Sequence, residues 1–148
     1  MNHTEGMEHG TADVERQLEV AEKGHNVMPF DLDRSTHVFE KTTEGGIQQV
    51  LSDDSDSAQI KLIQTHLEEE YGRFQNGDFA DPAFIHGDGM PGLAILQSEY
   101  AKLDMIYEPL LDGGQITYST TDEALINAIH VWFEAQLADH GTHAVSGE

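Results

Sequence analysis

Two histidines in this chain are each followed four residues later by a glutamate. His66 and Glu70 lie in Gln64-Thr65-His66-Leu67-Glu68-Glu69-Glu70, and His130 and Glu134 lie in Ile129-His130-Val131-Trp132-Phe133-Glu134. On an α-helix, positions i and i+4 share a face. Each segment therefore offers an imidazole beside a carboxylate, and two such helices together supply two nitrogen and two carboxylate donors. Inward-pointing Glu and His on facing helices are how helical proteins build metal sites. The donor set suits Zn, Cu, Fe, Mn or Ni without choosing among them. The plainer explanation is an i,i+4 pair at a helix edge. By helical angle Glu70 falls beside the apolar stripe of Ile63, which predicts partial burial. Glu134 falls away from the Leu125–Ile129–Trp132 stripe, which predicts solvation.

His86 is the next candidate. It sits in the glycine-rich run His86-Gly87-Asp88-Gly89-Met90-Pro91-Gly92. A loop histidine beside a rigid scaffold serves as a ligand or a proton carrier. His37 opens a strand-like segment and reads as an ordinary packing residue. His140 and His143 follow the last helical stretch, where imidazole favours the helix dipole. The chain has no cysteine, which excludes disulfides, thiolate zinc sites, iron–sulfur clusters and a cysteine nucleophile. No Gly-x-Ser-x-Gly elbow, P-loop or dinucleotide fingerprint is present.

The elements that must hold these residues follow from periodicity. Residues 1–11 are polar and read as a disordered tail. A short helix is predicted from about Ala12 to Lys23. Strand-like runs at His37–Thr42 and Ile47–Leu51 flank Glu44-Gly45-Gly46, a hairpin signal. Ser52 to Ser55 offer cap chemistry for a helix over Ser57–Gln75, whose stripe is Ile60, Ile63, Leu67, Tyr71 and Phe74. A third helix is predicted over Leu93–Leu103. A second hairpin joins Met105–Leu110 to Gln115–Ser119 through Asp112-Gly113-Gly114. Thr120 or Thr121 caps a last helix over Asp122–Asp139, and 144–148 read as a tail.

The two hairpins align at an offset of 68 residues, which places Glu40 on Glu108, Gly45-Gly46 on Gly113-Gly114, and Asp54 on Asp122. This predicts an internal duplication, about 36–75 and 104–139, within one domain over 12–143. The expected fold is α+β: a four-stranded antiparallel sheet from two β-hairpin–helix units, with helices mainly on one face.

Composition narrows the partners. Twenty-eight acids against seven bases give a formal net charge of −21 over 148 residues. A nucleic-acid backbone or an anionic membrane is repelled by such a surface. Acidity with only four lysines is consistent with solubility through self-repulsion and, more sharply, with a halophilic setting where salt screens it. No apolar run approaches a membrane span and the first residues form no signal peptide, so a cytoplasmic protein is expected.

Several segments carry a resemblance. Val27-Met28-Pro29-Phe30-Asp31-Leu32-Asp33, Thr36-His37-Val38-Phe39, the Gln59–Leu67 helix, Gly77-Asp78-Phe79-Ala80-Asp81-Pro82-Ala83, Ile85-His86-Gly87, Met90-Pro91-Gly92-Leu93 and Trp132-Phe133 with Asp139-His140-Gly141 together resemble a group of small, poorly characterised microbial proteins. Its members often carry the label aspartate carbamoyltransferase. That activity does not suit this chain, which is about half the length of such a catalytic subunit. It lacks the Ser-Thr-Arg-Thr phosphate-binding run and has few bases with which to hold carbamoyl phosphate.

The function expected from sequence is binding of a divalent transition metal by His66, Glu70, His130 and Glu134, with His86 as a loop ligand or proton carrier. The alternative is a metal-free interaction or small-ligand module, with structural histidines and a homodimer through its sheet. A third reading is an acid–base enzyme using His86 with a nearby carboxylate.

Overall fold

The computed structural model describes residues 14–23, 30, 34–82, 89–140 and 144–147. The expected disordered tail at 1–11 lies outside these residues.

Strand β1 (Ser35–Thr42) buries Ser35, His37 and Phe39 and leaves the residues between them partly exposed, the period-two pattern of a half-covered sheet. It returns as β2 (Gly45–Ser52) through a two-residue connection, with Thr42 opposite Gly45. Strands β3 (Asp104–Leu110) and β4 (Gly113–Ser119) repeat the device with Leu110 opposite Gly113. The glycine pairs therefore begin the return strands instead of forming the turns. Close approach explains them. A Cβ on Gly113 would overlap the Val50 carbonyl of the neighbouring strand, and one on Gly46 would overlap the Phe133 ring.

The hairpins join into one sheet, as the sequence predicts, and the structure makes the join an antiparallel β2–β4 pair. The sheet nevertheless has five strands in the order β3-β4-β2-β1-β5, and it is mixed, not four-stranded and antiparallel. Ala144–Ser146 forms β5, which runs parallel to β1 with His37 opposite Ala144. Three residues carry no periodicity, so the sequence reads them as tail. The open edge of β1 supplies the backbone partners that make them a strand. The β2–β4 register is symmetric under the 68-residue offset: Gly45 pairs with Ser119 and Leu51 with Gly113, around the Gln48–Ile116 pair.

Helical residues 14–23 (α1) dock on the end of the last helix. Arg16 binds Asp139 through two contacts of 2.6 and 2.8 Å. Helix α2 (Ser57–Gln75) is capped by Asp56, whose carboxylate accepts from the Ala58 and Gln59 amides. Helix α3 (Leu93–Glu99) tightens into a 3₁₀ turn over Tyr100–Lys102 and so ends earlier than predicted. Helix α4 (Glu123–His140) is capped by Asp122, which accepts from the Ala124 and Leu125 amides. Thr120 instead braces that cap: its Oγ1 accepts from the Asp122 amide and donates to the Lys102 carbonyl. Both caps thus fall just beyond the predicted residues, on the aspartate next to each helix.

Helices α2 and α4 pack on the sheet face that carries Phe39, Val50, Ile116 and Tyr118. Ile63, Leu67 and Phe74 come from α2, and Leu125, Ile129, Trp132 and Phe133 from α4. Tyr107 Oη donates to the Gln64 carbonyl at 3.2 Å, and Gln64 Nε2 donates to the Leu110 carbonyl at 3.0 Å, fixing α2 over the second hairpin. Among the described residues, no helix is long and apolar enough to cross a membrane.

Candidate functional site

A cavity of about 50 Å³ lies between α2, α4 and the β1–β2 hairpin. That is room for about three water molecules or the tip of a small organic group. Four elements aim polar side chains into it. From β1 comes His37, and from β2 come Gln48 and Val50. From α2 come His66 and Glu70, with Leu67 and Phe74. From α4 come Trp132, Gln136 and His140. Phe30, Asp81 and Pro82 complete the wall.

Helical spacing places these groups. The buried positions of α2 are Gln59, Ile63, His66, Leu67, Glu70 and Phe74, so His66 and Glu70 belong to the core-facing stripe. On α4, Trp132, Gln136 and His140 continue the stripe begun by Leu125 and Ile129.

His66 Nε2 and Glu70 Oε1 are 3.6 Å apart, with side chains only 9% and 8% exposed. This is longer than a hydrogen bond. Burial holds the His66 imidazole below its usual range, against the opposing pull of Asp81. Glu70 is pushed up to about 9 by burial first, then by its hydrogen bond to Asp81 and the Asp81 charge. At neutral pH the pair is therefore an uncharged imidazole beside an uncharged carboxylic acid, not an ion pair. Arg73 sits at the rim, 3.3 Å from Glu70 Oε1 and 3.5 Å from Asp81 Oδ2. It offsets only part of the cost of burying Glu70.

Behind this pair, Gln48 Oε1 accepts from Tyr118 Oη at 2.6 Å. Tyr118 is fully enclosed, and burial together with Glu70 raises its hydroxyl well above its usual range, so it stays a phenol. On the opposite side His37 and His140 stack with ring centroids 4.6 Å apart and planes 13° from parallel. The α4 wall differs in kind. Trp132 Nε1 and Gln136 Nε2 are buried donors with no hydrogen-bond partner among the described residues.

The second His–Glu pair goes elsewhere. His130 Nε2 donates to the Thr42 carbonyl at 2.8 Å. Glu134 is 65% exposed and pairs with Lys41, which holds its carboxyl below the usual range. Neither residue lines the cavity, because both lie off the stripe that α4 turns to the core. The structure thus brings His66 and Glu70 together and leaves His130 and Glu134 at the turn of the first hairpin. Among the described residues, no three His, Asp or Glu side chains converge in the manner of metal ligands. His86 lies outside the described residues. Sequence reasoning gave His37 and His140 only bland roles and passed over Gln48, Asp81 and Gln136. Extending the α4 stripe from Trp132 by fours reaches Gln136 and His140, whereas nothing in the sequence marks Asp81.

No known protein family, no curated protein and no solved structure matches the chain.

Proposed function

We propose that the protein binds a small organic molecule in this cavity, where His66 and Glu70 exchange protons with it. The observation that carries the reading is one cavity faced by both a buried imidazole and a buried carboxyl group. Small-ligand sites combine an apolar wall with a few convergent polar groups, and Phe74, Leu67, Val50 and Trp132 supply the wall here. An acid and a base with displaced proton affinities, side by side and out of water, are suited to proton transfer. This reading gives α2 an acid–base role of the kind the sequence suggested for His86, which lies outside the described residues.

Trp132 is the sole tryptophan, so its fluorescence reports on the cavity directly. A panel of small neutral and charged organic fragments is titrated against the protein, the His66→Gln and Glu70→Gln variants, and the double variant. The reading expects fragments that shift the Trp132 emission and bind differently to the variants. It is overturned if no fragment perturbs Trp132, or if every binder treats all four proteins alike.

The second reading keeps a metal, one of Zn, Cu, Fe, Mn or Ni, and is favoured by the 3.6 Å approach of His66 Nε2 to Glu70 Oε1, two donors whose shell water would complete. A dication there would take the place of the Glu70 proton and offset the buried acidity. It would also have to compete with the Arg73 cation. Plasma mass spectrometry of untagged protein, purified without added metal or chelator, separates the two. Near-stoichiometric metal that disappears in His66→Ala supports the metal. Protein still empty after incubation with a panel of divalent ions removes it.

A further inference from the structure

Trp132 and Gln136 are four residues apart on α4, so their side chains stand one above the other on the same helix face. Both are buried, at 1% and 5% exposure. Both face the cavity, and both carry N–H groups that donate to nothing among the described residues. A buried donor left without an acceptor costs free energy, and such groups are rare in folded proteins. Two on adjacent turns, opening into one space, form a paired donor site that awaits an acceptor. The indole can only donate. The amide Nε2 likewise presents only hydrogens. The matching group is therefore an oxygen with two lone pairs and no proton of its own to place. An ammonium or other donor group cannot satisfy these two nitrogens. The cavity volume of about 50 Å³ admits about two heavy atoms on the scale where a 150 Å³ cavity holds benzene. That is the C=O of a carbonyl group, with its substituents toward the cavity mouth.

We infer that the cavity takes the carbonyl end of a neutral ketone, aldehyde or amide, whose oxygen is held between Trp132 Nε1 and Gln136 Nε2. This assignment rests on the small-ligand reading above and names its ligand class. It uses the α4 wall alone, so it stands apart from the chemistry of His66 and Glu70. Held this way, a carbonyl is polarised by two N–H groups, the arrangement that stabilises negative charge on oxygen.

The test uses the full chain labelled with nitrogen-15, in which the single tryptophan gives one indole cross-peak. Acetone and acetamide are titrated as carbonyl probes, with isopropylammonium as a donor-only probe of similar size. The expected result is a downfield shift of the indole proton with acetone and acetamide and none with isopropylammonium. In Gln136→Leu, affinity for both carbonyl probes falls by about five- to tenfold, the worth of one net hydrogen bond. Gln136→Met, similar in length and without a polar hydrogen, loses the amide donor and provides a second variant should the leucine perturb packing.

Carbonyl binding that leaves the indole proton unmoved and is indifferent at Gln136 overturns the assignment while leaving the small-ligand reading intact. So does preferential binding of isopropylammonium. An indole resonance that no probe moves marks an acceptor already in place, such as a resident water, and also overturns it. The broader reading falls only if the wider fragment panel fails as well.

Discussion

Replacing Glu70 by Gln keeps the side chain's shape and removes a carboxyl group that folding moves far from its ordinary value. Its ordinary value is 4.5, and in the folded protein it is pushed up to about 9. The folded state thus binds this proton more tightly than the unfolded chain does. The contribution is fully present below pH 4.5 and is lost as pH rises through about 9. At pH 7 the unfolded chain has already released the proton, which favours unfolding by about 1.4 kcal/mol for each pH unit above 4.5, or about 3 kcal/mol. The folded protein still holds it. A glutamine has no proton to lose in either state, and its amide can still donate to Asp81. Glu70→Gln should therefore stabilise the protein at pH 7 by up to about 3 kcal/mol, a large share of the 5–15 kcal/mol typical of a domain.

The assay is urea unfolding of both proteins between pH 7.5 and 8.5, a window in which His66, held below its usual range in the folded protein, is almost wholly neutral in both states. Wild-type stability should fall relative to the variant by about 1.4 kcal/mol per pH unit. Parallel pH profiles, or a variant less stable than wild type at pH 8, would refute the idea that Glu70 is buried as an acid.

The other expectations concern the frame around the site. Gly113→Ala should cost at least about 1–3 kcal/mol, because the new Cβ meets the Val50 backbone, which cannot rotate away. Gly72→Ala, within α2 and with nothing near its Cβ, should instead raise stability by about 0.5–1 kcal/mol; thermal melts of the two variants read the opposite signs. Asp122→Ala removes the acceptor for two amides at the start of α4 and should cost about 1 kcal/mol, measured by urea unfolding. Glu134→Ala should leave thermal stability and any bound metal as in wild type, since its ion pair with Lys41 lies at the surface. A loss of metal in that variant would restore the four-ligand site.

The sequence by itself determined much of the scaffold. Period-two runs bounded by glycine pairs located both hairpins, and the Ser57–Gln75 helix was legible to the residue because nineteen residues of 3.6-fold pattern leave little ambiguity. Helical angle also separated the two glutamates: Glu70 is buried and Glu134 solvated, because a residue's place on a helix face is local geometry. What the local pattern does not contain is which elements meet. The fifth strand exists because α4 returns the chain to the open edge of β1, and three residues cannot announce that. His37 enters the cavity from a strand and His140 from the end of α4, more than a hundred residues away. Asp81 reaches Glu70 from beyond the end of α2. Burial, the displaced proton affinity of Glu70 and the two α4 donors without a partner among the described residues all arise from long-range packing. Spacing along the chain nominated one half of the site, and only the tertiary structure placed the other half against it.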